Sequence, residues 1–123
     1  MTNPGCATTV TGKNAVNTVI YGQYVFTDGF KENTNNPGND PGPEFPPQTT
    51  TFPAGDFCTP LQECASFAAL QADQYDSFDF HFLISENVYE CTAYYDPNAN
   101  ASYFNVQDPD VGQAYGYSYT GYA

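Results

Sequence analysis

The sequence predicts an α+β fold, one helix packed on an antiparallel sheet of about five strands. Three observations carry this. Thr59-Pro60-Leu61-Gln62 opens a helical pattern, residues 77–84 alternate strictly, and Tyr115, Tyr117 and Tyr119 alternate with Gly116, Ser118 and Thr120 near the end. The 123 residues are the length of one domain, and 1–123 is read as one.

In chain order, residues 7–30 are rich in strand formers, among them Val16, Val19, Ile20, Tyr21, Tyr24 and Phe26, and Gly22 is placed to mark a bulge between two strand pieces. Residues 31–57 follow as a Pro/Asn/Gly-rich insertion loop. Their prolines remove backbone donors, which argues against a central strand, and Phe45, Phe52 and Phe57 are expected to pin the loop to the body. Thr59 suits a helix N-cap, Pro60 the first helical position, and Gln62 a capping box. The helix is expected to reach about Ala72, with Leu61, Cys64, Ala65, Ala68 and Ala72 on one face, small enough to sit close to a sheet.

In the next strand Phe78, Phe80, Phe82 and Ile84 share one face and Ser77, Asp79, His81 and Leu83 the other. Ser85-Glu86-Asn87 is a hairpin turn, and Val88–Tyr95 runs back with Tyr89, Cys91, Ala93 and Tyr95 on one face. Turns at Asp96-Pro97-Asn98 and Asp108-Pro109-Asp110 bracket a short strand, Ser102–Val106, before the Tyr-lined last strand. Because Gly116 and Ser118 are too small to fill a deep core, this strand is expected near a sheet edge.

Charge narrows the function. Two Lys and no Arg stand against 14 acidic residues, a net charge of −12. Nucleic-acid binding is excluded for want of groups to neutralise phosphates, and an anionic membrane surface is disfavoured likewise. No apolar run is long enough for a transmembrane helix. Abundant Tyr and Phe argue for a folded chain despite the net charge.

Cys6, Cys58, Cys64 and Cys91 are an even, scattered set with no CxxC pair, which points to two disulfides and an oxidising, extracellular compartment rather than to zinc. Spacing alone leaves all three connectivities open. Residues 1–20 lack a charged start followed by an apolar run, so a secreted chain would be in its mature form. Asn100-Ala101-Ser102 is the one glycosylation sequon.

Cys64-Ala65, the helix, Ser77-Phe78-Asp79-Phe80, and Cys91-Thr92-Ala93-Tyr94 together resemble the PAN/apple family over about residues 58–120. The resemblance implies a bridge Cys64–Cys91 from helix to strand, leaving Cys6 for Cys58. It also implies secretion and binding of protein or carbohydrate without a catalytic apparatus. The second helix bridge usual in that family would fall near Ala68 and Tyr75, where this chain has no Cys. The composition resembles that of secreted fungal proteins.

His81 is the one histidine, and Ser77 and Asp79 precede it on its strand face. A catalytic triad needs these side chains in contact, whereas alternate strand residues stand roughly 6.6 Å apart and parallel. His81 is therefore read as structural or superficial. Asp73, Asp76 and Asp79, the Asp108–Asp110 turn, and Asp96 with Asn98 and Asn100 are read as turn chemistry and solubility rather than calcium ligands, with no cofactor expected. No motif singles out a carboxylate pair for glycoside hydrolysis.

The expected function is thus a secreted, non-enzymatic module binding a glycan or another extracellular protein in adhesion or cell-wall association. Its contact face would carry Tyr115, Tyr117 and Tyr119, since Tyr joins a stacking face to a hydroxyl at low entropic cost. The alternative is a self-assembling homo-oligomer using the Tyr strand and the Pro-rich loop. A small secreted hydrolase comes third.

Overall fold

A computed structural model describes residues 8–33, 46–71, 74–95 and 101–123. The strands are β1 (Thr9–Lys13), β2 (Thr18–Asp28), β3 (Phe30–Lys31), β4 (Gln48–Pro53), β5 (Ser77–Leu83), β6 (Val88–Tyr94), β7 (Val106–Gln107) and β8 (Val111–Tyr122), and the α-helix α1 spans Cys58–Ala69. Six strands form one antiparallel sheet in the order β1-β2-β8-β5-β6-β4, and β3 and β7 pair as a separate ribbon. The architecture is α+β, as expected, with one more strand in the main sheet.

The first face of the sheet carries α1 and an aromatic core. Phe78 stacks on Tyr117, Phe80 stacks on Tyr89, and Tyr21 meets Phe78 edge-on. Phe57, just before the helix, packs its ring on Phe80, Tyr89 and Tyr115. Cys64 and Cys91 are joined, so the helix is bolted to β6. Small residues let α1 approach as the sequence suggested. A Cβ on Gly12 of β1 would lie 2.3 Å from the carbonyl oxygen of Ala65. Leu61, Cys64, Ala65 and Ala68 form the buried helix face, while Ala72 lies outside the described residues.

The helix start differs from expectation. Thr59 is already inside the helix, and Phe57 at the N-cap makes no side-chain cap. Asp56 substitutes, its Oδ2 accepting from the Thr59 amide at 3.3 Å and the Thr59 hydroxyl at 2.9 Å. The span 31–57 is not all loop. Gln48–Pro53 forms β4, and its proline is accommodated because β4 is an edge strand. Phe52 and Phe57 do pack on the core, and Phe45 lies outside the described residues. In place of a strand over Ser102–Val106, the chain makes a short 3-10 turn at Ala101–Tyr103 and then β7. Gly22 sits between two register shifts of β2 against β8, consistent with the anticipated bulge.

The last strand corrects the edge expectation. β8 lies between β2 and β5 in mid-sheet. Gly116 is small because the second face is crowded: a Cβ there would come within 2.5 Å of Val25 and 2.8 Å of Phe104 and Tyr24.

Candidate functional site

The second face gathers polar and charged side chains in a way the first does not. The β5–β6 hairpin turns at residues 84–87, with Asn87 at a positive φ of 53°, and this fixes the register that pairs His81 with Glu90 and Asp79 with Thr92. Directly paired residues share a face at close range, and residues two apart share it as well. Asp79, His81, Glu90 and Thr92 therefore converge. The β3–β7 ribbon folds over them: the Glu32 amide donates to Asp79 Oδ2 at 3.0 Å, and Lys31 pairs with Asp108 at 3.6 Å on the rim.

His81 is the centre of the cluster and only 1% exposed. Its Nδ1–H donates to Asp79 Oδ1 at 3.0 Å, and Glu90 Oε1 lies 3.0 Å from Nε2, off the N–H axis. Burial opposes charge on the imidazole, but Asp79 and then Glu90 overcome it and raise the His81 pKa to about 9. In return the His81 imidazolium holds Glu90 below the usual carboxylate range. The superficial alternative for His81 is thus excluded. The Asp79–His81 contact forms despite the strand spacing, yet the partner on the far nitrogen is a carboxylate, and Ser77 is not brought to His81.

These groups border a cavity of about 350 Å³, which Lys31, Asn33, Thr49, Thr92 and Val106 also line. Thr49 and Thr92 share a hydroxyl–hydroxyl bond of 3.1 Å. Tyr94, fully buried, completes the wall, and its hydroxyl has no hydrogen-bond partner among the described residues. Burial, with the Glu32 and Asp79 charges, pushes that phenol far above its ordinary value and keeps it protonated. A larger, more open hollow of about 490 Å³ lies between β4 and α1, but its lining, including Phe52, Phe67 and Leu70, contains no buried charged group.

The other expected residues are distributed differently. Tyr115 and Tyr117 are buried in the helix-side core, and of the three tyrosines only Tyr119 is exposed, at 37%. The single outward face anticipated for them does not form, because Ala114, Gly116 and the bulk of Tyr24 and Phe104 turn the larger rings towards α1. The Cys64–Cys91 bridge is present and Cys58 is disulfide-bonded. Cys6, and with it the expected Cys6–Cys58 pairing, lies outside the described residues. Asn100, Asp73, Asp96 and Asn98 also lie outside them. Asp110 accepts from the amide and hydroxyl of Ser85 and Asp108 accepts from the Asp110 amide, which is turn chemistry. Among the described residues no group of His, Cys, Asp and Glu is arranged to hold a metal ion, and no helix is long and apolar enough to cross a membrane.

Glu90 and Glu32 were not singled out from the sequence. The signal for Glu90 was present: folding the alternating strand about the Ser85–Asn87 turn sets it opposite His81. Glu32 is delivered by a ribbon of two short strands, which leaves no periodic trace. No protein-family model matches the chain, and neither does any curated protein or solved structure.

Proposed function

We propose that this chain is a secreted, non-enzymatic binding module of PAN/apple-like build, and that it seats a hydroxyl-rich ligand, a glycan residue, in the cavity on the second face of the sheet. The carrying observation is the buried, unpartnered Tyr94 hydroxyl beside the Asp79–His81–Glu90 cluster. A buried phenol without a partner costs stability unless something fills the site, and a convergent set of carboxylates, threonines and an amide suits a polyol. The cavity volume suits one or two sugar rings. The helix-to-strand bridge favours the family resemblance, and the disulfides favour secretion.

Binding is preferred to catalysis for two reasons. His81, held protonated and flanked on both nitrogens, is a poor base at neutral pH. Glu90, held below its ordinary value, is a poor acid. A glycan panel probed with the wild type and with Glu90→Gln tests the reading. Capture of glycans, lost in the variant, is expected. No capture by the wild type, or capture indifferent to Glu90, overturns it. A second reading, self-assembly, draws on the exposed Tyr119–Tyr122 ring pair, and sizing at several concentrations tests it.

A further inference from the structure

We propose that the second-face cavity selects an amine-bearing, cationic ligand, an amino sugar in preference to its neutral or acidic counterparts. This rests on the binding-module reading above. When ionised, Glu32, Asp79 and Glu90 bring three negative charges to the cavity against one imidazolium, His81. The lysine of the lining, Lys31, sits at the rim and is engaged with Asp108 at 3.6 Å. Glu32 and Asp79 are 3% and 1% exposed, so water does little to balance them. An excess of acidic over basic groups in a buried lining is expensive to hold charged, and a ligand carrying its own positive charge relieves it. The hydroxyls of Thr49, Thr92 and Tyr94 add neutral partners for a ring that also carries hydroxyls. The Tyr94 hydroxyl, fully buried and unpartnered, is the group that marks the site as built for an occupant rather than for packing. The chain's net charge of −12 acts in the same sense at long range, drawing in cations and repelling sulfated or uronate polymers.

The test is calorimetric titration of the full chain at pH 6 with three trisaccharides: one of β-1,4-linked glucosamine, its N-acetylated form, and one of glucose. The glucosamine trimer is expected to bind at least about tenfold more tightly than the other two, and the advantage is expected to shrink in 1 M salt. Glu90→Gln should remove most of that preference. Tyr94→Phe deletes a hydroxyl that has no hydrogen-bond partner among the described residues, so it should weaken binding several-fold while leaving the melting temperature unchanged or raised. A purely structural Tyr94 would give a lower melting temperature with unchanged binding, which overturns the proposal. Equal binding of all three trimers also overturns it but leaves the binding-module reading standing. Failure of all three to bind overturns this proposal, while the glycan panel decides the binding-module reading separately.

Discussion

The two faces of one sheet are built on opposite principles. On the helix side, Phe78, Phe80, Tyr115 and Tyr117 exclude water, and the Cys64–Cys91 bridge ties the layer together. On the other side the same strands present Asp79, His81, Glu90 and Thr92, with Glu32 laid over them. The aromatic side is what apolar burial favours. Its counterpart buries ions at a desolvation cost that their mutual attraction does not exceed, so it adds little net stability. The contrast within single strands, Phe80 inward and His81 outward, teaches that apolar burial alone does not account for the second face.

Breaking one member of the charged cluster should have the largest effect. His81→Leu leaves Asp79 and Glu90 without their cation and should cost about 3–5 kcal/mol in chemical denaturation. The triple change Asp79→Asn, His81→Gln, Glu90→Gln removes the charges together and should cost far less. If the triple variant is as damaged as the single one, the second face is a stability element and the contrast fails. On the helix side, Cys91→Ser should cost roughly 2–5 kcal/mol by the same measurement, since the bridge closes a loop across a separation of 27 residues. Gly12→Ala, which drives a methyl into the Ala65 carbonyl, should cost about 1–3 kcal/mol by forcing β1 away from α1.

The pH dependence sharpens the comparison, because His81, the one histidine of the chain, lies on the second face. The His81 pKa is raised on folding from 6.5 to about 9, so its contribution is complete below about pH 6.5 and is lost as pH rises through about 9. Glu90 is lowered, so its contribution is present above the ordinary carboxylate value of 4.5 and is lost as pH falls below it. The groups facing His81 are Asp79 on its own strand, Glu90 on β6, and Glu32 and Lys31 from the ribbon segment. Thermal melting should show a plateau near pH 5–6.5 and a decline towards pH 9. The decline should vanish in the triple variant. The smallest effect belongs to Tyr119→Ser, which should shift Tm by less than about 2 °C, because that ring is exposed and makes its contact with exposed Tyr122.

Much of the fold was legible because period and capping are local. The alternation over residues 77–84 placed Phe78 and Phe80 opposite Asp79 and His81, and the small helix face announced a close approach to the sheet. Which face of β8 is buried was not legible. Tyr alternation is compatible with either side, and the choice is made by Tyr24 and Phe104, distant in sequence, filling the space above Gly116. β4 was hidden by its proline, Pro53, and by the proline-rich stretch before it, and an edge strand tolerates that proline. The site was half legible: Asp79 and His81 were marked together, but the decisive neighbours arrive through the hairpin register in one case and an isolated ribbon in the other.

The claim that the second face carries a buried, charged cluster rests most directly on the protonation state of His81. As the one histidine in the chain, its imidazole gives an unambiguous signal in a nitrogen-15 NMR titration. The account requires both ring nitrogens to be protonated at pH 7 and the ring to titrate near pH 9. A ring that titrates at or below the ordinary value of 6.5, neutral at pH 7 in a single tautomer, would contradict it.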